Sequence, residues 1–98
     1  MLFIVRCQDN ENKLSIREKY TEEHKKFLEA YKDHILVPGS LRLEVDGAAQ
    51  GSIWIVDAET KEQVREICNR DPFFINGLRK SVDIFIWNKV FPETKTLI

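Results

Sequence analysis

Hydrophobic residues follow two different periods along this chain, and the changes of period divide it into six elements. Residues Leu2–Cys7 form a continuous apolar and β-branched run, which is typical of a strand buried on both faces. From Ser15 onward an apolar stripe recurs at helical spacing, opposite a charged face, and Ser15 and Glu18 match a capping box. The members of the stripe are Ile16, Tyr20, His24, Phe27, Leu28 and Tyr31.

The middle of the chain returns to the period of a strand. An extended segment begins at Ile35, bends at Pro38-Gly39 and continues through Leu41–Val45, where apolar and charged residues alternate. Asp46-Gly47 supplies a turn, and Gly51–Val56 is the next strand. The short distance between these two strands predicts a hairpin.

A second helix and a last strand complete the pattern. Thr60 and Gln63 match a second capping box, which predicts the start of a helix near Thr60. Pro72 restricts the residue before it to extended conformations, so we expect this helix to end with Asp71 at or just beyond its last turn. The alternation over Val82–Val90 predicts the final strand.

The order strand, helix, strand, strand, helix, strand predicts an α+β fold. Right-handed crossovers on this order give the ferredoxin-like βαββαβ sandwich, in which a four-stranded antiparallel sheet carries both helices on one face. The chain has 98 residues, of which 43% are hydrophobic. That length and composition suit a single domain, residues 1–98, with a real core.

The second face of this sheet is also expected to be apolar. Two helices cover only one face, and an uncovered apolar patch of more than a few hundred Å² normally marks an interface. We therefore predict a homodimer that packs through the open sheet face. The residues assigned to that face are Phe3, Val5, Trp54, Val56, Phe85 and Trp87.

Charge and cysteine content narrow the classes of partner and compartment. The formal net charge is -1, which favours neither nucleic acid nor an anionic membrane surface as a partner, and no apolar run is long enough to span a membrane. The two cysteines, Cys7 and Cys68, lie far apart and in no metal or redox spacing. We expect reduced thiols, a cytoplasmic location, no metal and no cofactor.

His24 and Asp71 are the two residues that look out of place. His24 lies on an apolar stripe, and a carboxylate at the C-terminal end of a helix opposes the helix dipole unless a cation is near it. One interpretation makes His24 a core histidine bonded to a backbone carbonyl and pairs Asp71 with the adjacent Arg70. The other pairs His24 with Asp71, so that the carboxylate fixes the imidazole as a general base.

Short motifs along almost the whole chain resemble those of the YciI (YCII-related) family of small α+β proteins. This family is similar in fold to dimeric α+β barrel proteins such as muconolactone isomerase. The matching pieces are Met1–Val5, Arg17 with His24, Pro38-Gly39, Gly51-Ser52, Asp71-Pro72-Phe73 with Gly77, and Trp87–Phe91.

The resemblance implies a dimeric α+β barrel and an active-site dyad formed by His24 and Asp71. The substrate pocket beside the dyad would be lined by Gly39, Ser52, Trp54 and Phe73.

Three functions remain open at this point. The first is a small enzyme that uses the dyad as general acid and base on a small organic molecule, of isomerase or lyase type. The second is a non-catalytic module that binds a small ligand in the same pocket. The third, an RNA-binding sheet, is disfavoured by the net charge and by the absence of the basic, aromatic strand that such sheets use. One observation distinguishes the enzyme from the binder: whether His24 and Asp71 lie within hydrogen-bond reach in a pocket with room for a substrate.

Overall fold

The chain forms one sheet and three helices in the computed structural model, which describes residues 1–98. The strands are β1 (Leu2–Asp9), β2 (Ile35–Leu41), β3 (Gly51–Asp57) and β4 (Arg79–Ile86). The helices are α1 (Leu14–Ala30), α2 (Lys61–Asn69) and the short α3 (Pro72–Ile75). All neighbouring strands are antiparallel, in the order β2-β3-β1-β4. The predicted ferredoxin-like α+β fold is confirmed, with one extra helical turn before β4.

The core lies between the two long helices and one face of the sheet. Alternate residues of β1 and β3 point into it, and α1 and α2 close it from the other side because their apolar stripes face the sheet. From the sheet the core takes Phe3, Val5, Cys7, Ile35, Trp54, Val56 and Ile84; from the helices it takes Phe27, Val64, Ile67 and Cys68.

Most of the residues predicted to lie on the open face of the sheet lie instead on the face that the helices cover. Phe3, Val5, Trp54 and Val56 are buried beneath the helices, and β1 is buried on one face only within this chain. The alternation was read correctly, but a single sequence does not say which alternate set faces the helices.

The open face is nevertheless apolar, through the other set of residues. Ile4 of β1 lies opposite Ile55 on β3 and Phe85 on β4. Ile53 extends this row, and the Arg6–Asp83 ion pair, at 3.0 Å, borders it.

Two strands end at residues other than those predicted, because the neighbouring strand offers no further residue to pair with. The strand predicted through Val45 ends at Leu41, which pairs with Gly51, the first residue of β3. The strand predicted over Val82–Val90 runs from Arg79 to Ile86, because its partner β1 begins at Leu2 and ends at Asp9. Neighbour length therefore sets these limits more than local composition does.

Only one of the two predicted capping boxes forms a cap. α1 begins at Leu14, so Ser15 already lies inside its first turn, and no side chain caps the helix. At α2 the Thr60 hydroxyl accepts a hydrogen bond from the Gln63 amide at 3.1 Å, while the Gln63 side chain accepts one from the Glu59 amide. None of the three helices combines the length and the apolar character that crossing a membrane requires.

The two thiols behave as small core side chains. Cys7 and Cys68 are free and buried. Burial raises the pKa of the Cys7 thiol, and burial, followed by the proximity of Cys7, raises the pKa of Cys68 to about 12. Both thiols therefore stay protonated near neutral pH and contribute packing.

Candidate active site

His24 and Asp71 lie in direct contact. The Nδ1 atom of His24, on α1, is 2.7 Å from the Oδ1 atom of Asp71, and the two side chains are 12% and 2% exposed. His24 points inward because it shares the stripe of Phe27, which is buried in the core. An ionised carboxylate can only accept hydrogen bonds, so the neutral imidazole carries its proton on Nδ1 and leaves Nε2 free.

Asp71 lies just beyond the end of α2, as predicted, and it is also the N-cap residue of the short helix α3. α2 ends at Asn69, and Pro72 is the first residue of α3. The Asp71 Oδ1 atom accepts a hydrogen bond from the Phe73 amide at 3.0 Å, as an N-cap residue does. Pro72 ends one helix and also starts the next, because its fixed φ suits the first position of a helix. The carboxylate is therefore favourably placed.

The cation that balances Asp71 is Arg79, which the sequence did not indicate. Arg70, the expected neighbour, instead donates a hydrogen bond to the hydroxyl of Tyr31 at 2.8 Å. Arg79 Nη2 donates to Asp71 Oδ2 at 3.2 Å, and its side chain is 1% exposed. The available signal was an arginine directly after Leu78, at the start of an apolar strand.

Arg79 also extends the contact into a chain of alternating charges. Its Nη1 atom donates to Asp9 Oδ1 at 3.0 Å. The other oxygen of Asp9 accepts from Arg17 Nε at 3.1 Å and from Arg17 Nη2 at 2.8 Å. Two arginines and two aspartates thus cancel one another while His24 is neutral, which is how charged groups are tolerated in an interior.

Phe73 holds the imidazole from a second direction. Its ring is stacked on that of His24, with centroids 4.0 Å apart and an angle of 15° between the planes. The guanidinium groups of Arg17 and Arg79 lie 4.9 and 5.2 Å from the Phe73 centroid, within the range of cation–π attraction. One ring therefore links His24 to both arginines.

A cavity of about 270 Å³ opens beside His24. Three cationic residues, Arg17, Lys25 and Arg42, contribute to its wall, and no aspartate or glutamate does. The four residues predicted to line a substrate pocket all line this cavity together with His24: Gly39, Ser52, Trp54 and Phe73.

A larger hollow of about 400 Å³ lies at the end of the sheet where β1 ends and β4 begins. Residues 8–12 and 48–50 supply most of its wall, which contains neither histidine nor cysteine. Nowhere do three side chains of the metal-binding types gather. The cavity beside His24 is therefore the candidate active site.

The family model described as YCII-related domain matches residues 1–88. The chain belongs to this family. Among solved structures, this YCII-related protein is similar to 5-chloro-2-hydroxyhydroquinone dehydrochlorinase (TftG) from Burkholderia phenoliruptrix AC1100, in complex with 2,5-dihydroxybenzoquinone. The TM-score is 0.82 and the identity 28%, over 90% of this chain and 94% of that chain.

A second solved structure, of protein Atu4242 from Agrobacterium tumefaciens, matches with a TM-score of 0.49 and 17% identity. The match covers 90% of this chain and 92% of that chain. No curated protein matches the chain in sequence. The match to the family model and the likeness to the dehydrochlorinase structure confirm the resemblance drawn from the motifs, at the level of the family and the fold.

Two substitutions at Asp71 should distinguish what its cap of α3 contributes to stability from what its ion pair with Arg79 contributes. We expect Asp71→Asn to lower the free energy of unfolding by about 1.5–3 kcal/mol, because Arg79 loses a charged partner while an amide oxygen still caps α3. Asp71→Ala should cost about 1 kcal/mol more, the worth of the cap. Urea denaturation of the wild type and of both variants measures these free energies of unfolding.

The matched control is His24→Gln, which leaves the bonds among Asp71, Arg79 and Asp9 in place. It removes one hydrogen bond to the carboxylate and the ring stacked on Phe73 but leaves the charges of the cluster balanced, so it should cost less than Asp71→Ala. If Asp71→Asn were as stable as the wild type, Asp71 would not be what holds Arg79.

Proposed function

We propose that this protein is an enzyme that transfers a proton on a small organic molecule, with His24 as general base and acid. The observation that carries the proposal is the bond from Nδ1 to Asp71, which leaves Nε2 as the basic nitrogen of a residue lining the cavity. The group that fixes the base is thereby separated from the side on which a substrate would bind.

Asp71 acts as a positioning residue in this proposal. Its carboxylate selects the Nδ1–H tautomer and stabilises the imidazolium that forms when Nε2 accepts a proton. General base catalysis of this kind typically contributes about 10²–10⁴-fold to a rate. Arg79 prevents the carboxylate from turning away from the ring, because it binds the second oxygen.

The size of the cavity and the likeness to the dehydrochlorinase both favour a small substrate with oxygen substituents. The structural relative was solved with a dihydroxybenzoquinone bound. A cavity of about 270 Å³ lies just below the usual range for ligand sites, about 300–1,000 Å³, which suits a single ring or a short chain. We propose an elimination of lyase type or an isomerisation, since both begin when a base removes a proton from carbon.

A turnover assay tests the proposal. We expect the protein to bind 2,5-dihydroxybenzoquinone, followed by its visible absorption, and to release chloride from 5-chloro-2-hydroxyhydroquinone. His24→Gln should lower the turnover rate about 10²–10⁴-fold and leave binding of the quinone within a few-fold.

Lys26→Gln serves as the control, since Lys26 lies on the charged face of α1 and does not line the cavity. Binding without turnover in the wild type would instead support the alternative, a non-catalytic module that binds small ligands. Turnover that survived in His24→Gln would refute the role of His24.

We further propose that two copies of the chain pack together through the open sheet face. Ile4, Ile53 and Ile55 are only half-buried there and Phe85 is 47% exposed, so one chain leaves a continuous apolar surface uncovered. A second copy brings an identical surface, and symmetric pairs of this kind are the commonest oligomers.

Sedimentation velocity at micromolar concentration should give a dimer. Ile55→Lys places a charge at the centre of the open face and should shift the protein to monomer without unfolding it, as checked by circular dichroism. Leu43→Lys is the matched control, because Leu43 is 79% exposed in the loop between β2 and β3 and should leave the dimer intact. A wild-type monomer would overturn this assembly.

A further inference from the structure

A break in the pairing of β1 with β4 turns a buried arginine toward the site. Residues pair one to one along these strands until the end of β1, where Asp9 pairs with Arg79 and Lys80 is left out of the pairing. Alternation along β4 from the buried Ile84 would place Lys80 on the helix side, but Lys80 is exposed and Arg79 is buried. An extra residue of this kind is a β-bulge, which re-aims a side chain. Here it directs Arg79 to Asp9 and Asp71.

Asp9 lies behind the site and is not part of its wall. The cavity is lined by His24 and Arg17 but not by Asp9, whose side chain is 8% exposed. Each oxygen of the carboxylate is used: Oδ1 accepts from Arg79 Nη1 at 3.0 Å, and Oδ2 accepts from Arg17 Nη2 at 2.8 Å. Any effect of Asp9 on a reaction in the cavity therefore passes through these two arginines.

Arg79 has more donors than acceptors around it. Nη2 donates to Asp71 and Nη1 to Asp9, and Nε is buried without a partner. A guanidinium and a carboxylate favour a fork of two parallel hydrogen bonds. If Asp9 were absent, the remaining carboxylate of the cluster would be Asp71, and a fork would use both of its oxygens. One of them is Oδ1, the atom that contacts His24 Nδ1 at 2.7 Å. Arg79 and the imidazole would then compete for it.

We propose that Asp9 is a positioning residue for the reaction, because by holding Nη1 of Arg79 it keeps Asp71 Oδ1 available to His24. This inference rests on the proposed function of His24 as the base. An imidazole that loses its bond to Asp71 can carry its proton on either ring nitrogen. In the molecules that carry it on Nε2, that nitrogen cannot accept a proton from a substrate. Asp9 thus acts on the base through two intervening side chains.

A pair of variants that both lack Arg17 isolates this effect. Asp9→Asn alone would leave the cluster with one excess positive charge and so destabilise the fold. Asp9→Leu/Arg17→Met instead removes one charge of each sign and puts apolar side chains of similar size in place of a buried ion pair, which proteins often tolerate. Arg17→Met is its reference, since it keeps Asp9 between Arg79 and the solvent. Circular dichroism checks that both variants fold.

The ring nitrogen signals of His24 in ¹⁵N-labelled protein give the first measurement. The chain has two histidines, and His24→Gln assigns the signals. We expect Arg17→Met to keep a protonated Nδ1 and an unprotonated Nε2, and Asp9→Leu/Arg17→Met to give signals averaged between the two tautomers. Asp9→Asn/Arg17→Met leaves an amide oxygen for Arg79 and should show a smaller change in the same direction.

A control and a contradicting result complete this measurement. Lys80→Gln removes an exposed positive charge next to Arg79 and should leave the His24 signals as in the wild type. If neither variant at Asp9 changes the signals relative to Arg17→Met, the inference is overturned.

Turnover of the chlorinated hydroquinone gives the second measurement. Because a displaced catalytic group commonly loses one or two orders of magnitude in rate, kcat of Asp9→Leu/Arg17→Met should be about 10-fold to 100-fold below that of Arg17→Met. The difference should disappear when His24→Gln is added to both variants, since Asp9 acts through the base. A difference that persists without His24 would contradict the inference.

The outcomes distinguish this inference from the proposed function. If turnover depends on His24 but is equal in Arg17→Met and Asp9→Leu/Arg17→Met, His24 is the base and Asp9 does not position it. If the wild type shows no turnover, the proposed function fails, and the ring signals alone decide whether Asp9 positions the imidazole.

Discussion

The carboxylate of Asp71 is the group on which the candidate site depends. It accepts from the Phe73 amide, contacts His24 Nδ1 and accepts from Arg79, and it is almost entirely removed from water. Those contacts connect the start of α3 with the middle of α1 and with the first residue of β4. A buried carboxylate with fewer partners would be costly, so the same bonds that make it tolerable also fix where the three elements meet.

This arrangement holds the imidazole of His24 on one side and leaves its other side free. Toward the core, Asp71 and the Phe73 ring hold His24, and Arg79 and Asp9 hold Asp71. The second ring nitrogen, Nε2, is left free, and His24 is part of the cavity wall. An imidazole held in this way is what the proposed proton transfer requires, because its orientation is fixed while one nitrogen stays available.

Local spacings in the sequence predicted much of the fold and of the candidate site, whereas contacts between residues far apart in the sequence were missed. The order of elements, the inward position of His24 and the Thr60 cap follow from spacings of a few residues. Asp9 and Arg79 are 70 positions apart, and only the pairing of β1 with β4 brings them together. The open face was misassigned because alternation has two solutions, and burial beneath the helices selects one of them. The helix dipole argument at Asp71 failed because Pro72 begins a new helix.

The nitrogen resonances of the His24 imidazole test the central claim most directly. In protein labelled with ¹⁵N, at a pH where His24 is neutral, Nδ1 should give the signal of a protonated ring nitrogen. Nε2 should give that of an unprotonated one, because Asp71 can only accept from Nδ1. A signal showing the proton on Nε2, or one averaged between the two tautomers, would contradict the account, since the base would then not be fixed toward the cavity.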